Sequence, residues 1–594
     1  MLPSGLPMLA LGTIITAVAV SVALAAPESA ATGRLRCRCL PTQPCWPNSD
    51  TWAALGQDVG GRLIPTKPAA YECHNPNYDS AKCDAIKAGY HYDYWRQQQP
   101  GAVQQTNWEV FQGKGCLDFN QTDVCHQGAV PLYTVNATNF EDVQKTVRFA
   151  AKHNVRLVVK NTGHDYLGRS IGAYSLNLWV FYMKKIEFND NFVPEGAPAG
   201  TESKGAVILG SGAIWRDVFK AADDHNVFVL GGADPTVGTS GGFCQGGGHH
   251  ALSTKVGLCV DNVLQYKIVT ADGELKVANA YQNKDLFWAL RGGGGGTFGV
   301  VVEATYKTHP AFKNIVYATS YILYNITDPT VTRQKVINKF LSYQHEWSNN
   351  GWSGYAFIQQ NSMAAVYYLP DQDVATATKQ YQPFLDYANS VGAKAFGNLT
   401  SYSSFYDLFS ATALTTGTRN AGVQVVLGSR LIPRSTFAAQ TKVNKLSEAF
   451  MNIQDDLYDF GNPEGTILTH LVAGGQVAKG TTAETSVLPA WRRALMHVVL
   501  VASWLTETPP AEQQLVQRKL TQSTDRLRKL TPGSGAYVNE ADPNEPDWKG
   551  AFFGANYKRL KSIKDQVDPH GLFACHNCVG SDDWNKDLLC PRRR

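Results

Sequence analysis

Residues Val155-Arg156-Leu157-Val158-Val159-Lys160-Asn161-Thr162-Gly163-His164-Asp165-Tyr166-Leu167-Gly168-Arg169-Ser170 open as a strand and close as a loop. The Val-rich start reads as a short buried strand. The rest is polar and punctuated by Gly163 and Gly168. A strand that runs into such a loop presents backbone N–H groups at the loop's mouth, a nest that suits an anion and above all a pyrophosphate. A single imidazole, His164, sits in the middle. Just upstream, Phe140 to Ala151 carries apolar residues at helical spacing behind Asn139, a capping residue. A strand–helix–strand rhythm therefore starts near residue 130 and runs to about 310, with Gly-rich loops between short Val-rich strands.

Further blocks follow in order. Gly231-Gly232-Ala233-Asp234-Pro235-Thr236-Val237-Gly238-Thr239-Ser240-Gly241-Gly242-Phe243-Cys244-Gln245-Gly246-Gly247-Gly248-His249 leads into Gly257-Leu258-Cys259-Val260-Asp261-Asn262-Val263. Asp285 to Arg291 precedes five glycines. Gly535-Ala536-Tyr537-Val538-Asn539 and Asn556-Tyr557-Lys558-Arg559-Leu560 stand near the end. Several blocks in one order are far more specific than a lone glycine motif. Together they resemble the FAD-linked oxidoreductases of the vanillyl-alcohol-oxidase and p-cresol-methylhydroxylase superfamily. Within it they look like the berberine-bridge-enzyme-like subgroup, and most like secreted fungal isoamyl-alcohol-oxidase-like proteins. The likeness runs from roughly residue 30 to 582.

The resemblance implies an α+β fold. A split FAD-binding domain of the p-cresol-methylhydroxylase type would carry an inserted substrate domain, an antiparallel sheet covered by helices. It also implies FAD bonded to His164. Asn161, Thr162, Gly163, Asp165, Gly168 and Ser170 of the same loop would contact the cofactor. So would Asp234, Thr236, Val237, Gly238, Gly241, Gly242 and Gly247 of the second loop, with Val263, Asn556 and Tyr557 from later blocks. Many relatives carry Cys just before Pro-Thr-Val-Gly and attach the flavin twice. This chain has Asp234 there, and a carboxylate cannot form the thioether, so a single bond through His164 is expected. Cys244 is expected to be buried or in a disulfide.

Oxidation of an alcohol needs a group that takes the hydroxyl proton. Tyr537, with Asn539 beside it, matches a family block near the flavin ring and is the first candidate. Alternation in an extended segment would put the two on one face. His249 is the next candidate, and His470 is expected to be structural. Glu540 is left without a role, and no metal site is expected.

The 594-residue chain has room for two or three domains. With 54 basic against 50 acidic residues, its net charge of +4 does not indicate a nucleic-acid partner. Residues 1–26 read as a secretory signal ending in Ala23-Leu24-Ala25, with an uncleaved anchor as the alternative. Twelve cysteines fit an oxidising compartment. The Cys575-x-x-Cys578 pair is read as a disulfide, since no second close pair gives zinc spacing. Sequons at Asn120, Asn136, Asn325 and Asn398 are expected to carry N-glycans. The expected layout is a Cys- and Pro-rich extension (27–125), the FAD-binding domain (126–310), the substrate domain (311–510) and the C-terminal part of the FAD domain (511–594). The expected partners are a small-molecule substrate and O2. The leading function is a secreted oxidase acting on a C–H next to O or N and releasing H2O2. The alternatives are a tailoring oxidoreductase of secondary metabolism and an inactive flavin-binding glycoprotein.

Overall fold

The helix read behind Asn139 spans Phe140–His153, and the Asn139 side chain accepts the Asp142 N–H. Val143, Val147 and Ala150 form its buried stripe, and Asn154 ends it at φ 49° in the left-handed region. It links strand Tyr133–Asn136 to strand Arg156–Lys160. The computed structural model describes residues 35–325, 327–412, 421–458, 460, 462 and 464–592. The signal expected at 1–26 lies outside the described residues.

The first sheet has the order Leu63–Pro65, Tyr133–Asn136, Ser175–Trp179, Arg156–Lys160. Its last three strands are parallel, and the first pairs antiparallel. The N-terminal extension thus contributes an edge strand to the body. Disulfides Cys39–Cys45, Cys73–Cys83 and Cys116–Cys125 staple its loops, and Cys37–Cys590 ties it to the far end of the chain. A second, antiparallel sheet runs Ile186–Phe192, Lys204–Gly210, Val300–Lys307, Val263–Val269, Leu275–Asn279.

The third sheet is antiparallel and seven-stranded. Its order is Lys394–Tyr402, Ile315–Leu323, Ser362–Pro370, Ser353–Ile358, Ile467–Leu471, Ala494–Trp504, Gln424–Pro433. One face packs under helices Pro329–Asn349, Val374–Ser390 and Gln440–Tyr458 around Phe340, Trp347, Tyr367 and Phe384. Because strand side chains alternate, Ala356 and Ile358 enter that core while Tyr355 and Phe357 face the other way.

Two expectations change. Residues 511–529 read as a charged surface helix of the C-terminal flavin segment. The helix Pro510–Leu530 instead buries Val516, Leu520 and Leu527 against strands Gln424–Pro433 and Ala494–Trp504. Its few apolar residues stand among charges and small polar residues, which hid the buried face that packs on the seven-stranded sheet. Asn136 is the second change. It lies half-buried in a sheet strand, its N–H bonded to Arg62 O and its Oδ1 buried, which is a poor place for a glycan. Asn120 and Asn398 are exposed and Asn325 is half-buried.

Candidate active site

A cavity of about 440 Å³ lies between the glycine-rich loops and the free face of the seven-stranded sheet. Residues 161–166, Arg169 and Ser170 form one side of it. Asp234, Val237, Gly238, Gly241, Gly242 and Gln245 come from the second loop, and Tyr355, Phe357, Leu468 and His470 from the sheet. His249, Tyr537, Asn539 and Glu540 also line it.

The first loop is folded by Asp165, whose carboxylate accepts the N–H of Leu167 and of Arg169 and pairs with the Arg169 guanidinium. Arg169 also donates to Asn539 Oδ1 at 3.1 Å, so it joins this loop to the C-terminal block. His164 Nε2 lies 2.6 Å from the Thr236 hydroxyl, which donates to Asp234 Oδ1 at 2.8 Å. Because the Thr236 O–H is directed at Asp234, its oxygen accepts from His164 Nε2, and Nδ1 is the ring nitrogen outside this hydrogen-bond chain. Asp234 Oδ1 stands 3.9 Å from that ring. Thr236 is itself fully buried behind His164 and off the cavity wall.

Three observations test whether FAD fits these loops. A Cβ at Gly241 or Gly296 would meet nothing within 4 Å, and at Gly242 nothing nearer than 3.9 Å, so the backbone is open to a close ligand. The peptide N–H groups of Gly163 and His164 have no acceptor among the described residues. Asn161 Oδ1 and Gln245 Oε1 are buried without a partner there. Free donors, free acceptors and an open glycine wall fit a ligand that carries both phosphate and a heteroaromatic ring.

Other sequence candidates sit off the wall. Gly168, at φ 71°, packs on Trp108, whose ring a Cβ would strike at 2.4 Å. Gly247, at φ 137°, backs onto the Tyr537 ring. Val263 points into the core beside the second sheet, because strand alternation turns it inward. Asn556 donates to the carbonyls of Ser486 and Val487, and Tyr557 donates to Asp582 at 2.6 Å. Both tie the C-terminal segment to its neighbours and stand outside the cavity lining. Cys244 is in a disulfide with Cys259, and Cys575 with Cys578.

The segment around Tyr537 is not extended. A 3-10 turn, Val538–Glu540, follows Tyr537 and brings Tyr537, Asn539 and Glu540 all to the cavity. The phenol oxygen accepts from Asn539 Nδ2 at 2.7 Å and from Gly248 N–H at 3.2 Å. Burial, then the charge of Glu540, raise its pKa well above the ordinary tyrosine value. That is the wrong direction for a base, so Tyr537 reads as the post that fixes Gly248 and Asn539.

Sequence reading missed a cluster. His470 and His497 are register partners on adjacent strands, with their Nδ1 atoms 3.2 Å apart. Glu540 reaches His497 Nδ1 at 3.7 Å, His470 Nδ1 at 4.0 Å and His249 Nε2 at 3.4 Å. Burial lowers His470 to about 4 against the pull of Glu540, and lowers His497 further, so these rings are neutral near pH 7. Burial disfavours the Glu540 carboxylate, but His249 beside it outweighs that and holds its pKa below the usual range. Nothing in the local sequence marks His497, which lies within an apolar strand.

Comparison with known proteins agrees with this architecture. The family model of the FAD binding domain matches residues 131–279, and that of berberine and berberine-like proteins matches residues 536–580. An FAD-linked oxidoreductase of Arthroderma benhamiae is 40% identical over 573 residues, covering 93% of this chain and 96% of the relative. The VAO-type flavoprotein MtVAO615 of Myceliophthora thermophila C1 superposes with a TM-score of 0.84 at 32% identity, covering 94% of this chain and 100% of that one. Berberine bridge enzyme from Eschscholzia californica shares the fold, with a TM-score of 0.66 at 16% identity over 89% of this chain and 99% of that one. A likeness that spans both the loops and the inserted sheet leaves one conclusion: the chain belongs to the FAD-linked oxidoreductases of the vanillyl-alcohol-oxidase type, in the berberine-bridge-like group, and is an FAD-dependent enzyme.

Proposed function

We propose that the protein is an oxidase that holds FAD by one covalent bond, through His164. Its substrate would be a small molecule, an alcohol, sugar or phenolic compound, oxidised at a C–H next to O or N. When bound, FAD supplies the hydride acceptor, and O2 takes the electrons as hydrogen peroxide. The observation that carries this reading is that a single cavity is lined by His164 on one side and by His249, His470 and Glu540 on the other.

The chain's own groups divide the remaining work. The Thr236–Asp234 pair keeps the His164 proton on Nε2 and leaves Nδ1 nucleophilic, the state needed to form a bond to carbon. Asp234 stands where a thioether would otherwise form, which supports a single attachment. Tyr355, held by the Ala251 N–H at 2.8 Å, and Phe357 give the sheet wall an aromatic surface for the substrate's carbon skeleton. A hydroxyl at the far end meets His249, whose ring nitrogens have no hydrogen-bond partner among the described residues and which takes the proton, with the Glu540 carboxylate 3.4 Å behind it to steady the charge. Export through an oxidising compartment is supported by the six disulfides and the exposed Asn120 and Asn398.

Acid precipitation tests the attachment, since the pellet should stay yellow. Oxygen uptake over alcohols, sugars and phenols tests the reaction, with peroxide matching the oxygen consumed. Flavin released into the supernatant would refute the covalent bond. Reduced protein that reoxidises slowly in air would refute an oxidase.

A further inference from the structure

We propose that His249, His470, His497 and Glu540 form a binding site for one divalent late transition ion, with zinc as the type. Each contributes one ligand-type atom, and the four atoms lie within 4.8 Å of one another. The separations run from 3.2 Å (His470 to His497) through 3.4 Å (His249 to Glu540 Oε1) and 3.7 Å (His497 to Glu540 Oε2) to 4.0 Å (His470 to Glu540 Oε2). An ion with metal–nitrogen bonds of about 2.0–2.1 Å spaces tetrahedral ligands by about 3.3 Å. The cluster therefore needs only small side-chain rotations to close on one centre.

His249 is the second, independent observation. It is 7% exposed, and neither of its ring nitrogens has a hydrogen-bond partner among the described residues. Its Nε2 is 3.4 Å from Glu540 Oε1 yet outside hydrogen-bonding geometry. A buried imidazole without partners is costly unless something else occupies its lone pair. An ion would do so. It would also take the two Nδ1 lone pairs of His470 and His497, which otherwise must share a single proton between them.

The donor set narrows the ion. Three imidazoles and one carboxylate suit zinc, copper, nickel or cobalt and not calcium or magnesium, which require mostly oxygen. The scaffold is stiff. His470 and His497 are locked by strand register, and the rings of Trp491 and Tyr355 flank the cluster. His249, His470 and Glu540 open onto the cavity, so an ion held there is within reach of a substrate oxygen. The binding claim goes beyond the oxidase reading and stands whether or not that reading holds, because a bound ion would occupy the lone pairs that the oxidase reading assigns to the substrate proton.

The test uses untagged, flavin-containing protein, stripped with a chelator, loaded with zinc and passed through gel filtration before elemental analysis. One zinc per chain is expected. Glu540→Gln keeps the shape and should weaken binding at least about tenfold, while His470→Ala should lose the retained ion. Flavin content and melting temperature show whether each variant is folded. Cobalt loading of the unaltered protein gives a reading that needs no variant, with intense visible bands expected from a tetrahedral nitrogen–oxygen site. No retained zinc, zinc retained equally by both folded variants, or only the weak cobalt bands of an octahedral ion would each overturn the proposal.

Discussion

The two walls of the cavity are built in opposite ways. The His164 wall is local. Its imidazole and the carboxylate that folds its loop lie within residues 161–170, its partners Asp234 and Thr236 are two residues apart in one other loop, and the open glycines Gly241 and Gly242 follow them in that same loop. The wall facing it is assembled from four distant places: the end of a glycine run, two strands of the inserted sheet and a 3-10 turn near the C-terminus. A loop that must cradle a large, fixed cofactor concentrates its determinants in sequence. A reaction site that must be tuned to one substrate can draw single residues from whichever element passes by.

If that contrast is right, damage to the local wall should affect cofactor attachment, and damage to the assembled wall should affect the reaction. The largest expected effect is His164→Ala, which should abolish covalent flavin, seen as a colourless acid pellet and free flavin in the supernatant. Covalent flavin persisting in this variant would move the attachment elsewhere. Next is Glu540→Gln. Flavin content should stay near that of the unaltered protein, while anaerobic flavin reduction by substrate slows by about 100-fold or more. Tyr537→Phe removes the hydroxyl that holds Gly248 and Asn539, but the phenol is a poor base. It should cost less than tenfold in reduction rate and roughly 1–2 kcal/mol in stability. A larger kinetic loss than in Glu540→Gln would restore Tyr537 as the base.

Asp234→Asn should act on the first wall in a graded way. Thr236 then lacks the carboxylate that orients its hydroxyl, so freshly produced protein should carry a lower ratio of covalent to free flavin, read by mass after denaturation. An unchanged ratio would mean that Asp234 does not act through Thr236.

The smallest effect concerns the footing of the first wall. Lys160 is 1% exposed, donates to Gln99 O and lies over the Trp179 ring. Burial first, then Arg96, lower its pKa to about 7, with Glu109 opposing. The unfolded chain holds this proton up to about pH 10.4. Between those values the unfolded state binds more protons, so the Lys160 contribution to stability is lost as pH falls toward 7 and recovers as pH rises toward 10. Lys160→Met removes the titration and keeps most of the side chain. The stability of the unaltered protein relative to this variant should improve by about 1 kcal/mol or more between pH 6 and pH 9. A difference independent of pH would mean that Lys160 keeps its ordinary pKa and stays charged in the folded state.

The sequence by itself determined the alternation of strand, helix and glycine loop, because capping, hydrophobic period and backbone freedom are local properties. Asn139 capping its helix and the loop at His164 were legible for that reason, and the order of the blocks pointed to the flavin family. Tertiary structure decided what depends on register and reach. Helix Pro510–Leu530 looked like a solvent helix until the seven-stranded sheet buried Val516, Leu520 and Leu527. Val263 and Asn556 matched family blocks, but strand alternation and a pair of backbone carbonyls turned them away from the cavity. Tyr537 and Asn539 do share the cavity, but through a 3-10 turn instead of an extended segment, and that turn also delivers Glu540 to the site. His497 faces His470 only because two strands far from the cofactor loops pair in one register. Sequence records each residue's preferences one neighbourhood at a time. The pairing of strands, fixed by the burial of the whole inserted sheet, decides which distant side chains share a cavity.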